Sequence, residues 1–592
     1  MVFRHPPGRV AVMQPDVIEP PAPSSGDQPR ALRRLADVAW AAPLGVHAFL
    51  LLIALLVILP FTESGPVWLA DEGGMRLEAE LLAEGEPWAL GRPFAGLDPE
   101  EVTVPIESAT INGDRYTPFA KHVAASLLLG GAVRALGSFG FIALSILATA
   151  AAGWIVGATA ERLRRGSGRW ALWAIGLGGP LVIYSYTSTS HTIGVALAAA
   201  AVAAAIGVLQ GRLWWAVPLI AAVALGPQFR NEALLFGGAV AFALVLFSIR
   251  PVHLGRIGIA AAVGLAAVAG FGANLLFEQR VAGSLSVPVD TTAPCAIERI
   301  VNAGSTVLLR VTDDPIGIIA VYGLAAFTVL LIVWLRVDQA ASGRHVFHAV
   351  AAMVSAAVLL VVGPVHVYGI LLAFPLLVGG LAAIRSEVWS SPRYRFLLLI
   401  AGVYAVAVLI TQDFGGGGVQ WGGRYLFVAL PAAVPPAIAA ISAAVERIDR
   451  RTASVVIAAI VIGAAAMTVT SVRLIADRHT ATVGVVNELA DAATVAGPAG
   501  DGGGPVVFSP FTNVGRLAWE TVGDTRYLLM PEDDVMVYID RFSAAPIERF
   551  VLLASSDDEV DRFEANGFVV SDEIARIGPG RLVEMERVPT DD

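Results

Sequence analysis

The sequence predicts a polytopic α-helical membrane protein carrying a small C-terminal α/β domain outside the bilayer. Three observations predict it. Hydrophobic residues make up 56% of the 592 against 15% charged, with a mean hydropathy of +0.69, which is far from the balance of a water-soluble fold. Apolar runs of roughly twenty residues, the length a bilayer requires, recur from Pro43 to the low 470s. Beyond Gly497 the chain turns acidic, with 8 arginines against 19 acids, a net −11 in a chain whose total is −10. Such a tail is repelled by nucleic acid and by anionic lipid head groups, so it stands off in solution and nucleic-acid partners are excluded. A single cysteine, Cys295, rules out an intrachain disulfide and a thiolate metal cluster.

Residues 1–40 are rich in Pro, Ser and Arg without periodicity and read as a disordered cytoplasmic leader. The stretch Pro43–Phe61 is long enough to span, and Trp68 stands where cleavage near Ala70 would need a small residue, so this is a retained span. Arg30, Arg33 and Arg34 precede it and put the N-terminus inside, with the first loop, 62–137, outside. Further runs follow at 138–160, 170–187, 192–210, 213–227, 233–249, 256–277, 314–335, 346–364, 366–384, 396–411, 425–444 and 453–472. The run Pro118–Gly137 decides the topology. If it crosses, Arg162, Arg164, Arg165 and Arg169 face outward. If it lies in the interface, they face inward, as do Arg250, Arg256, Arg336, Arg344, Arg385, Arg393, Arg395, Arg447, Arg450 and Arg451. The positive-inside rule selects the second choice: about thirteen spans plus juxtamembrane helices within 41–477.

On that topology the unusual residues open outward, in Tyr184–His191, Gln228–Glu232, Glu278–Asp314, Gly363–His366 and Gln412–Arg424. Several loops meeting on one membrane face suit a substrate attached to that leaflet. In the tail, 478–592, an amphipathic stretch His479–Ala496 and a glycine-rich link Gly500–Gly504 precede short strands: Val506–Ser509, Tyr527–Met530, Arg549–Ala554, Phe568–Val570 and Leu582–Arg587. Their alternation with helical segments predicts an extracytoplasmic α/β domain with a structural or docking role.

The first loop holds the candidate chemistry. Asp71 and Glu72 open a helical pattern, Asp71–Glu84, with a partial apolar face of Met75, Leu77, Leu81 and Leu82. Acids in a first turn suit the helix dipole. Just beyond a membrane exit, a partly desolvated carboxylate also has its pKa raised and becomes a better general base. Lys121 is the only lysine among 40 basic residues, and with His122 it begins the interfacial helix. It reads either as a snorkelling cation or as a phosphate ligand at head-group depth, where a point charge is preferred to a planar fork. Arg424 ends a glycine-rich stretch whose backbone could approach an anion. Arg230 and Glu232 have the spacing of a simple ion pair, and His191 heads a span behind a hydroxyl-rich turn. There is no Walker loop, no GxGxxG, no HExxH and no paired CxxC, so an activated sugar or energy source comes from elsewhere.

The segments Trp68–Gly73 (WLADEG) and Tyr116–Lys121, with the order of span, outer loop, many spans and outer domain, resemble the GT-C superfamily of polyprenyl-phosphate-dependent glycosyltransferases. That superfamily includes protein O-mannosyltransferases and the lipid A aminoarabinose transferase. Val514–Trp519 (VGRLAW) is similar to part of the latter's soluble domain. The resemblance implies inverting transfer of a sugar from a polyprenyl-phosphate donor to a hydroxyl of an envelope glycan, lipid or protein at the plasma membrane's outer face. It also implies roles: Asp71 takes the acceptor proton, Glu72 orients the acceptor or holds a divalent cation, and Lys121, Arg424 and His122 meet the donor phosphate. His191, Arg230 and Glu232 would support them. Where relatives have a Lys-Pro-Pro-like run, this chain has Thr117-Pro118-Phe119-Ala120-Lys121. Two other classes fit the composition: a transporter of lipid-linked sugars, against which stand the lack of an inverted repeat and of mid-membrane charges, and a non-catalytic envelope scaffold.

Overall fold

The computed structural model describes residues 40–62, 70–98, 103–106, 109–250, 252–283, 369–384, 389–411, 422–447, 449–496, 504–511, 513–522, 524–530, 535–545, 547–577 and 580–589. Among these, seven helical stretches are long and apolar enough to cross a bilayer: Leu44–Thr62, Val123–Leu163, His191–Leu209, Leu254–Ala282, Pro392–Thr411, Arg424–Val445 and Ala453–Thr494. The expected spans at 314–335 and 346–364, the loop holding Cys295, Gly363–His366 and most of Gln412–Arg424 lie outside the described residues.

The chain begins with α1 (Leu44–Thr62) and α2 (Ala70–Glu84). Three short antiparallel strands follow, β1 (Leu90–Gly91), β2 (Thr110–Asn112) and β3 (Arg115–Thr117), with β3 in the middle. The helical body comprises α3 (Val123–Leu136), α4 (Gly140–Leu163), α5 (Gly168–Gly176), α6 (Leu181–Tyr184), α7 (His191–Leu209), α8 (Ala216–Leu225), α9 (Ala233–Leu246), α10 (Leu254–Ala282), α11 (Ile370–Ala373), α12 (Pro375–Ala382), α13 (Pro392–Thr411), α14 (Leu430–Val445) and α15 (Arg450–Ala496).

Three of these elements differ from the hydropathy reading. The run at 170–187 is not one span: Gly178-Gly179-Pro180 separates α5 from α6, because proline removes a helical donor and glycine adds backbone freedom. The run at 366–384 is likewise split, with Phe374 driven out of the helical region (φ −138, ψ 67) by the proline that follows it. The span at 453–472 and the amphipathic stretch at 479–496 are, by contrast, one continuous helix of 47 residues. Nothing between them breaks a helix, and Arg473 and Asp477 form an (i, i+4) pair at 3.5 Å.

α3 covers the run on which the arginine argument turns. It starts at His122, lies along α2 and stops at Gly137 (φ 62). The next helix then starts with Phe141 against Trp519 of the C-terminal domain, ring centroids 5.4 Å apart. Both ends of α3 therefore sit on the same face as the first loop. From there the 24 residues of α4 rise about 36 Å to the opposite face. At that face Arg164 pairs with Glu446, the Arg393 guanidinium donates to the Arg162 carbonyl (3.2 Å), and that of Arg169 donates to the Ala41 carbonyl (3.0 Å).

The C-terminal domain has the expected α/β build: β4 (Val506–Ser509), α16 (Asn513–Leu517), β5 (Arg526–Leu529), α17 (Val535–Ser543), β6 (Arg549–Ala554), α18 (Asp557–Ala565), β7 (Phe568–Ile577) and β8 (Gly580–Arg587). The sheet order is β5-β4-β6-β8-β7, with β4 parallel to both neighbours and the pairings of β8 antiparallel. Phe508, Phe542, Phe550, Phe563 and Phe568 fill its core edge to face. The domain is clasped to the first loop. Val104 and Leu529 exchange backbone hydrogen bonds (2.8 and 3.1 Å), and the Tyr538 hydroxyl donates to buried Asp98 (2.7 Å). Phe94 packs edge-on to Phe542 at 5.8 Å beneath the Arg526 guanidinium.

Candidate functional site

The site forms where the N-terminus of α2 meets the segment between β3 and α3. Buried Tyr116, Phe119 and Ala120 anchor that segment and deliver Lys121 to Asp71, with Nζ 3.8 Å from Oδ1. Both side chains keep contact with solvent, 40% exposed for Lys121 and 27% for Asp71. His122 beside them is buried in the left-handed region (φ 57, ψ 53), a conformation costing an L-residue roughly 1–2 kcal/mol. Its backbone N–H donates to Glu278 Oε1 of α10 (3.1 Å), a carboxylate that also accepts from the Asn274 amide (2.7 Å). Burial and the nearby Arg230 guanidinium drive the His122 ring down to about 3, so it is neutral at physiological pH.

Two arginines complete the cluster. Arg230 donates through Nε to Glu232 (2.8 Å), lies 3.4 Å from His191 Nε2, and stacks over Tyr425 at 5.8 Å. This is the ion pair the spacing suggested, now set beside His191 in the site. Arg424 follows Gly422 (φ 75) and Gly423 (φ 60), whose backbone turn aims it inward. Its guanidinium lies over the Tyr425 ring at 4.9 Å and donates to the Tyr425 hydroxyl at 3.2 Å. Nε and Nη1 of this 9%-exposed side chain have no hydrogen-bond partner among the described residues. Buried donors are rarely left so, and they point to a ligand that supplies acceptors.

The expectation of a raised Asp71 is reversed. Burial pushes its carboxyl up, but Lys121, Arg424 and Arg230 pull harder and hold it below the ordinary carboxylate value. Glu72, expected to orient the acceptor or hold a cation, is engaged by the protein's own donors. It is fully buried and accepts from the Ser188 backbone N–H (2.8 Å) and hydroxyl (3.1 Å), with Arg76 4.0 Å away. It ties α2 to the turn before α7. No three His, Cys, Asp or Glu side chains converge to hold a metal ion among the described residues. Two cavities lie elsewhere. One of about 1180 Å³ is bordered by Arg250, Arg256, Arg395 and Val406, and one of about 460 Å³ by Trp40, Trp173 and Ile460; neither includes Asp71 or Lys121. They are apolar clefts between helices, whereas the polar groups that could do chemistry converge at Asp71.

Sequence reasoning missed Arg76, Ser188, Tyr425 and Glu278. Arg76 alone left a signal, standing four residues after Glu72 on one helix face. The features together define a multi-pass membrane protein with a carboxylate ringed by cations at one face, covered by an α/β domain. No family model matches the sequence, and no curated protein matches it. Thirteen chains from solved structures match it. One is the crystal structure of ArnT from Cupriavidus metallidurans in the apo state: 11% identity, 91% of this chain and 97% of that chain covered, TM-score 0.49.

Proposed function

We propose that the protein is a membrane glycosyltransferase that moves a sugar from a polyprenyl-phosphate donor to an acceptor hydroxyl at the outer face of the plasma membrane, with inversion. The observation that carries this reading is the pair of buried, unpartnered Arg424 nitrogens set with Lys121 and Arg230 around one carboxylate. Such a cluster suits a phosphate that gains charge as it leaves. The Asp71 carboxylate accepts the proton of the acceptor hydroxyl, whose oxygen bonds to the anomeric carbon. The bond from that carbon to the phosphate oxygen breaks, and its electron pair departs with the polyprenyl phosphate. The motif resemblance at Trp68–Gly73 and Tyr116–Lys121 supports the same assignment.

The low pKa of Asp71 has a place in this scheme. The donor's phosphodiester, once bound, brings negative charge to the cations that now depress Asp71. Donor binding therefore relaxes that pull and strengthens the base when it is needed. Transfer assays with a panel of polyprenyl-phosphate sugars test the reading. Asp71→Asn should lower turnover by about 10²-fold or more while sparing donor binding. Lys121→Arg should lose activity, because a planar fork does not replace a point charge in a packed phosphate site. Wild-type turnover in Asp71→Asn, or full activity in Lys121→Arg, removes the respective residue from the mechanism.

A further inference from the structure

We infer that the C-terminal domain is a positioning element for the reactive carboxylate, acting through Trp519 and Arg516 on α2; this rests on the reading of Asp71 as the base. The contacts are specific. Gly73, two residues after Asp71, lies so close to the Arg516 backbone that an added Cβ would overlap it. One turn further, Arg76 is 1% exposed, and its guanidinium packs beside two mutually touching rings, 5.3 Å from the centroid of Phe141 and 6.0 Å from that of Trp519. Arg76 Nε donates to the Ser188 hydroxyl (3.3 Å), and the same hydroxyl donates to Glu72 (3.1 Å). A continuous set of contacts thus runs from Trp519 through Arg76 and Ser188 to Glu72, the neighbour of Asp71. The Phe141 ring in this set heads α4, so the domain also fixes α2 against the transmembrane body.

The geometry explains why a glycine and a buried arginine stand in the first two turns of a helix that already has good N-terminal acids. Gly73 weakens the helix, and its return is the close seat for Arg516. Removing the seat or the ring leaves α2 free to shift by a fraction of a turn. That is enough to part Asp71 from Lys121, which are joined by a 3.8 Å ion pair between partly exposed groups.

Lys121 provides the readout, because it is the sole lysine in the chain. Its rate of acylation by an amine reagent, followed at its own peptide by mass spectrometry in the full-length protein, reports the Asp71–Lys121 contact without any turnover. Trp519→Ala should speed labelling roughly two- to fivefold, the scale set by a partly exposed ion pair. Gly73→Ala should do the same, and Trp519→Phe should restore most of the protection. Asp71→Ala marks the fully released rate. Labelling at the wild-type rate in both Trp519→Ala and Gly73→Ala overturns the inference. If Trp519→Ala fails to fold, Gly73→Ala and Trp519→Phe decide it. The parent reading fails separately: polyprenyl phosphate that does not slow Lys121 labelling in the wild type counts against the donor site and leaves the positioning contact standing.

Discussion

Asp71 and Glu78 lie two turns apart on one helix and are driven in opposite directions. Asp71 is partly exposed among cations and held low; Glu78 is fully enclosed against Tyr116 and the Phe119 backbone, with no cation set against it among the described residues. Burial pushes Glu78 up to about 8, the Phe119 amide pulling slightly the other way, so Glu78 carries its proton at pH 7. The folded state thus holds a proton that the unfolded chain, with its ordinary value of 4.5, releases earlier. Stability from this group is full below pH 4.5 and is lost as pH rises toward about 8. Glu78→Gln should remove that dependence. Its thermal midpoint in detergent should overtake the wild type's between pH 6 and 9, and parallel curves would refute the assignment. At this scale the sequence was a fair guide to residue type and a poor one to environment. Asp71, Lys121, Arg230, His191 and Arg424 were all visible as chemistry-bearing residues at loop mouths. The depressed Asp71 was not, because proximity to a membrane predicts desolvation, and only folding showed which cations would face it.

Among the elements, the short 3₁₀ segment Arg424–Ala429 most directly sets Arg424, a proposed phosphate ligand. It is launched by Gly422 at φ 75, where an added Cβ would come within 2.5 Å of the Pro180 side chain. Gly422→Ala imposes a left-handed residue, at roughly 1–2 kcal/mol, and a steric conflict in addition. It should swing Arg424 out of line and weaken polyprenyl-phosphate binding about as much as Arg424→Ala does. Unchanged affinity measured by titration would show that the turn does not set the arginine. Most helices were legible from hydropathy, since runs of apolar residues report contact with lipid or core. Breaks and continuations were less so. Gly178-Gly179-Pro180 lies inside an apolar run, and Arg473–Ala496 continues a helix after its apolar residues give out. Hydropathy measures burial, while helix continuity depends on backbone donors and φ, so the two parted at these places.

For the whole molecule, the arginine face and the Asp71 face lie at opposite ends of α4, which orients every loop once one is known. With the arginines inside, Gly96 in the first loop should be outside and Gly255, at the start of α10 beside Arg256, inside. In a Cys295→Ser background, Gly96→Cys should react with a membrane-impermeant thiol reagent in intact cells. Gly255→Cys should react only after permeabilisation, and the reverse pattern would invert the topology. In the sequence, this expected orientation rests on the charge pattern alone. The clasp between the acidic domain and the first loop was not readable, because Asp98–Tyr538 and Val104–Leu529 join positions more than four hundred residues apart without any shared local pattern.

α15 gives that clasp an angular condition. An unbroken helix of 47 residues is about 70 Å long, and each residue in it turns the chain by roughly 100°. The domain at its far end is therefore set not only at a height but at a compass bearing. A single insertion or deletion along the shaft would rotate Arg516 and Trp519 by about a quarter turn or more around the axis, away from Gly73 and Arg76. A whole heptad changes the bearing by only about 20°, although it lifts the domain by about 10 Å. The shaft behaves like a keyed axle: its length can drift only in steps that bring the key back to its slot. Ile475, Leu489, Ala492 and Ala493 in its far half are buried, so an insertion would turn these side chains out of their packing as well as moving the domain.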